Sequence, residues 1–254
     1  MTGRRVLVTR PAREAQRWVQ ALRRRGIDAR ALPLLAIEPL ADDTSLRTMR
    51  ARAERFDVWM FVSAAAVEHF LAGPQPAEGP RCWVTGPGTA AALHAAGIPA
   101  ARIDAPGPQA EQFDSEALWQ IVRPQVKAGT TVLFVRGGDA DGTPAGRDWL
   151  SRQVAEAGAV QDTVVAYRRV PPAWEDADRR TAQEAARDGS VWLFSSSQAV
   201  ANLRAALPQA DWSCASAIAT HPRIAQAAQA AGFGRVLHSS AEFDALVASI
   251  ESFQ

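Results

Sequence analysis

The chain repeats itself, which restricts it to folds that two copies of one α/β unit can build. In the first half Val6-Leu7-Val8-Thr9-Arg10 is an apolar strand ending at Arg10. A helical stretch follows, with Trp18, Val19 and Leu22 on one face and Gly26 as its stop. In the second half Val132-Leu133-Phe134-Val135-Arg136 is the same strand ending at Arg136. Its helix carries Trp149, Leu150 and Val154 and stops at Gly158, 132 positions after Gly26. Residues 58–67 (VWMFVSAAAV) are echoed by residues 191–200 (VWLFSSSQAV) at an offset of 133, and residues 86–93 by 221–228 at 135. Short apolar strands alternating with alanine-rich helical stretches that end in glycine predict βαβ units around parallel sheets.

In such sheets ligands bind at the carboxyl ends of the strands, where helices begin and their amides point outward. Arg10, Ser63, Thr89, Arg136, Ser196 and His221 all fall at that boundary. The expectation is a ligand cleft lined by such edges from both halves. Two proline-bracketed stretches, residues 33–39 (PLLAIEP) and 164–172 (VVAYRRVPP), read as stiff extended joints, because proline restricts itself and its predecessor. Pro74-Gln75-Pro76, Pro106-Gly107-Pro108 and residues 139–146 read as surface loops.

Composition narrows the function. With 254 residues, 47% of them apolar, the chain can bury two modest cores. A net charge of +1 gives no field for nucleic acid or an anionic membrane. Of the 28 basic residues only Lys127 is lysine. Guanidinium forks at the strand ends would suit a small polyanion, since they bind carboxylates bidentately. Cys82 and Cys214 sit in apolar runs without a CxxC and are expected as buried, reduced thiols. The four histidines show no metal-ligand spacing, so no metal is expected. The segment MTGRRVLVTRP lacks the apolar core of a signal peptide, and no run is long enough to span a membrane, so a cytoplasmic protein is expected.

Three motifs carry competing chemistry. Gly86-Pro87-Gly88-Thr89-Ala90-Ala91 fits the G-x-G-x-x-A dinucleotide pattern, with Asp104 eighteen residues after Gly86. The proline between its glycines, and the loss of both glycines in the repeat copy His221-Pro222-Arg223, favour a helix start that offers amides and the Thr89 hydroxyl to a carboxylate. Ser63 and the run Ser195-Ser196-Ser197 lack the G-x-S-x-G elbow of a nucleophile and read as helix caps that can also meet a ligand. Tyr167 is the only tyrosine. A phenol keeps its proton at neutral pH, so in a cleft it could donate; in a half-buried strand it would only pack.

Taken together, the order and spacing of Val8-Thr9-Arg10-Pro11, residues 33–39, residues 61–67, residues 86–93, Val135-Arg136-Gly137 with Gly146-Arg147, Tyr167-Arg168-Arg169, residues 194–200 and Ala231-Gly232-Phe233 resemble the uroporphyrinogen-III synthase family. The resemblance covers essentially the whole chain. It implies an α/β fold of two related flavodoxin-like domains with parallel sheets, joined by a two-stranded connector. The first domain would take residues 1–35 and 172–254, the second residues 40–166, and the connector residues 36–39 and 167–171. It implies a cofactor-free hydro-lyase that cyclises hydroxymethylbilane, a linear tetrapyrrole octacarboxylate, to uroporphyrinogen III with loss of water and inversion of ring D. By the family pattern Tyr167 is the expected proton donor. Thr9, Arg10, Ser63, Gly88, Thr89, Arg136, Ser196, Ser197 and Arg223 are expected to contact substrate; the family's Gly-Pro-x-Thr is here His221-Pro222-Arg223-Ile224, and Arg223 is expected to replace the lost threonine hydroxyl with a charge. Residues 62–67 (VSAAAV) depart from the family's Thr-Ser-x-Asn-Ala-Val and lack its amide. A monomer is expected. An NAD(P)-dependent enzyme using residues 86–91 and a non-catalytic two-lobed binder are the alternatives.

Overall fold

The computed structural model describes residues 4–71, 73, 77–107, 110, 112–146 and 148–253. Residues 74–76, Pro108 and Arg147, named above, lie outside that set. The chain divides into two units, Met1–Ala36 with Val170–Gln254, and Ile37–Arg169.

In chain order the first unit opens with β1 (Val6–Val8), α1 (Ala12–Arg24) and β2 (Ala29–Ala31). The second unit holds β3 (Ala36–Glu38), α2 (Thr44–Arg52), β4 (Val58–Phe61), α3 (Ala64–Phe70), β5 (Arg81–Val84), α4 (Pro87–Ala95) and β6 (Ile103–Asp104). It continues with α5 (Ser115–Val122), β7 (Thr131–Gly138), α6 (Trp149–Glu156) and β8 (Val160–Val170). The chain then returns to the first unit for α7 (Asp176–Ala185), β9 (Val191–Phe194), α8 (Ser197–Ala206), β10 (Ser216–Ala219), α9 (Pro222–Ala230), β11 (Arg235–His238) and α10 (Phe243–Glu251).

The first sheet has the order β11-β10-β9-β1-β2 with every pairing parallel. The second has the order β3-β8-β7-β4-β5-β6, parallel from β8 to β6. Laid side by side, β9, β10, β11, β1 and β2 occupy the places of β4, β5, β6, β7 and β8. The sequence repeat is therefore a spatial one, with the chain entering the same five-strand arrangement at two different points. Each sheet reverses its winding direction between two central strands: β9 and β1 in the first unit, β4 and β7 in the second. That switch point is where an open parallel sheet leaves a crevice at its carboxyl edge.

Period-two alternation builds a core on each face of each sheet. Leu7, Trp192, Phe194, Ala217 and Ala219 pack on one face of the first sheet with residues of α7, α8 and α9, while Val6, Val8, Val191, Leu193 and Ile218 pack on the other with α1 and α10. In the second sheet Trp59, Phe61, Cys82, Val84, Leu133 and Val135 meet α2, α3 and α4, while Val58, Met60, Trp83, Val132 and Phe134 meet α5 and α6. Gly26 and Gly158, the helix stops of the repeat, both adopt a left-handed φ, of 76° and 85°. A side chain resists that conformation, which is why glycine ends both helices.

The joints gain a definite pairing, and one expectation changes. The stretches read as connectors are strands of the second sheet: β8 runs unbroken through residues 167–170, and β3 is hydrogen-bonded to it. Their prolines flank the pairing, so the ladder loses no donor where it needs one. Cys82 is a buried free thiol, as its apolar run suggests, and burial pushes its pKa up to about 12. Cys214 is exposed, because it stands in the turn before β10, between buried Trp212 and buried Ala215, rather than in the strand.

Candidate active site

Tyr167 lies near the end of β8, and a backbone irregularity aims it. Arg136 of β7 is opposite Val165, but the next residue, Gly137, is opposite Tyr167, so Ala166 is an extra residue in β8. In a regular strand Ala166 and Tyr167 would face opposite sides; the bulge lets both join the face packed on α3, where they share a core with Val164. The ring then lies directly over the β7 backbone. A Cβ added at Gly137 would sit 2.5 Å from Tyr167 Cζ and 2.7 Å from its Oη. Only glycine leaves room for the phenol there.

Three contacts fix the ring, which is only 4% exposed. Its Oη is 3.0 Å from Ser63 Oγ. The His69 imidazole lies beside it, ring centroids 5.7 Å apart and tilted by 36°. Gly137 forms the floor. Ser63 follows β4 and caps α3, its Oγ accepting the Ala66 N–H at 3.1 Å. His69 is in the last turn of α3, whose final carbonyls are held by Arg50: Nε donates to Phe70 O at 2.9 Å and a second guanidinium nitrogen to His69 O. Burial, with a smaller push from Arg50, holds His69 below the usual imidazole range; Glu68 opposes the shift.

The other predicted residues of the second unit surround this edge without all converging. Thr89 is buried on α4, which packs beside α3, and Gly88 precedes it exposed in the first turn. Arg136 points to the opposite face of β7, over Phe134, with Nη1 2.8 Å from Asp148 and its buried Nε without a protein partner. Its side chain is 6% exposed and Asp148's 69%, so the guanidinium is rooted in the protein while its anion is exchangeable with solvent.

In the first unit the matching edge holds Arg10, Ser196, Ser197 and Arg223. Arg10 repeats the Arg136 arrangement: it stacks on Trp18 at 4.5 Å, bonds Glu14 at 3.2 Å and leaves its buried Nε unpartnered. Ser196 caps α8 through the Gln198 N–H at 3.2 Å, and Ser197 is that helix's first residue. Arg223 is exposed in the first turn of α9, where His221 Nδ1 accepts its backbone N–H at 3.1 Å. Thr9 differs from the rest. It is 1% exposed, and its hydroxyl donates to Leu193 O at 2.7 Å, tying β1 to β9. Where the second unit has Tyr167, the first runs Pro33-Leu34-Leu35 and offers no phenol.

The Gly86–Ala91 turn lacks the features of a dinucleotide cradle. Neither Gly86 nor Gly88 takes a left-handed φ, and a Cβ at Gly88 would meet nothing within 4 Å. No close approach within the protein thus requires the glycines. Asp104, the candidate ribose acceptor, is engaged by Arg81 at 2.6 and 2.7 Å and by Gln125. The turn also follows β5, one strand away from the switch point.

A family model for uroporphyrinogen-III synthase HemD matches residues 16–248. The chain belongs to the uroporphyrinogen-III synthase family. Two solved structures share its fold. One is a uroporphyrinogen-III synthetase from Helicobacter pylori, 14% identical, with a TM-score of 0.60 over 99% of this chain and 100% of that one. Another is a mutant uroporphyrinogen III synthase from Thermus thermophilus, 16% identical, with a TM-score of 0.57 over 99% and 98%.

Sequence reading names Tyr167 and Ser63 as candidates but gives no role to Gly137 or His69. A glycine inside an apolar strand, directly after Arg136, was the available signal for a close approach. Nothing local marks His69; its place depends on how α3 packs.

Proposed function

We propose that this chain closes hydroxymethylbilane to uroporphyrinogen III with Tyr167 as the acid that starts the reaction. The supporting observation is the phenol held at the switch-point edge by Ser63, Gly137 and His69. The Tyr167 O–H bond breaks and its proton joins the substrate's terminal hydroxyl. The methylene C–O electron pair leaves with that oxygen as water, and the adjacent pyrrole nitrogen stabilises the resulting cation. Attack by the substituted carbon of ring D and rearrangement close the macrocycle. The proton released as the pyrrole regains aromaticity returns to the phenolate, so the enzyme ends as it began.

Departure of the hydroxyl needs a proton donor but little push. Holding the bilane so that the substituted carbon attacks is the harder task, and it is a matter of orientation. Arg136 suits a substrate carboxylate, since its Nε is free of protein partners and its Asp148 bond is solvent-exposed. Arg10, Ser196, Ser197 and Arg223 offer guanidinium and hydroxyl groups at the first unit's own edge, and Gly88 and Thr89 do so at α4. The reading takes the bilane as partner, without nucleic acid or membrane, in a cytoplasmic monomer; sedimentation velocity tests the oligomeric state. No helix among the described residues is long and apolar enough to cross a membrane.

Tyr167→Phe removes only the hydroxyl and keeps the ring's packing. It is expected to lower kcat by roughly 100-fold, the lower end of general-acid effects, with an unchanged circular dichroism spectrum. A wild-type rate in that variant would remove Tyr167 from the mechanism.

A further inference from the structure

We propose that Ser63 acts through Tyr167, as the positioning hydroxyl of the acid, rather than by gripping the substrate. The inference rests on the reading of Tyr167 as proton donor and deepens it. Ser63 Oγ has two lone pairs and one proton. One lone pair is committed to the Ala66 N–H, and the Tyr167 Oη stands 3.0 Å away. That leaves one lone pair and one proton facing the phenol. With the site empty, the more acidic phenol donates to Ser63 and is held in one rotamer. When the phenol turns its O–H to the substrate hydroxyl, Ser63 rotates its own proton toward Tyr167 Oη and becomes the donor to the phenolate. A single hydroxyl thus serves both states without moving its heavy atom, because the cap bond to Ala66 anchors it.

The surroundings fit this role. Tyr167 is 4% exposed, so water is a poor substitute for a protein donor to its oxygen. The floor at Gly137 and the wall at His69 are a backbone and a ring, and neither is bonded to Oη. Among the described residues, Ser63 is the one hydrogen-bonding group at the phenol oxygen.

The test uses the full chain with hydroxymethylbilane in steady state, comparing Ser63→Ala, Ser63→Gly, Ser63→Thr, Tyr167→Phe and the double variant Ser63→Ala/Tyr167→Phe. Ser63→Ala is expected to lower kcat about tenfold with KM changed by less than about twofold. Ser63→Gly is expected to be equally slow; glycine is tolerated at a helix cap, so this variant separates the chemistry from loss of fold. Ser63→Thr restores kcat to within about twofold by returning the hydroxyl. In the Tyr167→Phe background Ser63→Ala is expected to cost nothing further, because the group it serves is gone. A raised KM with unchanged kcat, or a full additional tenfold loss in the double variant, would overturn the inference and return Ser63 to direct substrate binding. If Tyr167→Phe alone keeps the wild-type rate, the reading of Tyr167 fails and this inference with it. If Tyr167→Phe is slow and Ser63→Ala is not, only the role of Ser63 fails.

Discussion

Two glycines at the same sheet edge separate close approach from simple turn geometry. A Cβ at Gly137 would collide with the Tyr167 ring at 2.5 Å, whereas one at Gly88 would meet nothing within 4 Å. Both occupy backbone conformations that alanine can adopt, so the difference is steric rather than conformational. Gly137→Ala is expected to lower stability by about 1–3 kcal/mol through overpacking, and to lower kcat by displacing the phenol. Gly88→Ala is expected to be neutral or stabilising by up to about 1 kcal/mol, since it removes a flexible residue from a helix. Urea unfolding of the two variants checks the pair; equal stability changes would contradict the close approach. At this scale the sequence was only half legible. A lone tyrosine between an apolar run and two arginines is visible as a string of letters, but the glycine beneath it and the histidine beside it come from other strands and helices.

Among the elements, α3 and β8 do most to shape the site. The bulge at Ala166 turns Tyr167 to the α3 face, and α3 brings Ser63 at its start and His69 at its end. The prolines around residues 164–172 predict extended chain but cannot reveal an extra residue within it, because a bulge is defined only by what lies opposite. The same limit hides which strand each joint pairs with: the two stiff extended joints prove to be neighbours, β3 beside β8. The depressed pKa of His69 gives α3 a pH signature. Burial leaves the folded state a weaker base than the unfolded chain, so the unfolded state takes up the proton first on acidification. The contribution of His69 is therefore complete above the ordinary imidazole pKa of about 6.5 and declines as pH falls below it. Urea midpoints at pH 7.5 and pH 5.5 are expected to differ less for His69→Gln than for the wild type. An unchanged difference would mean that the acid sensitivity lies elsewhere.

For the whole molecule, the repeat was the most legible feature. Strand, helix and glycine stop recur at nearly constant offset, and strands from both copies combine in each sheet into the same five-strand parallel arrangement with a switch point. The chain enters that arrangement at a different point in each unit, so the matched blocks of one half are shared between two sheets. The two copies have diverged in chemistry: the second carries the phenol, and the first has Leu34-Leu35 at that place. The proposed reaction gives this asymmetry a use, since that reading takes one phenol as proton donor and the other edge residues as anchors. The decisive measurement is to generate hydroxymethylbilane in the presence of the purified chain, oxidise the product and separate uroporphyrin isomers I and III by chromatography. Predominantly isomer III without any added cofactor is the expected result; isomer I alone, as forms unaided, would contradict the account.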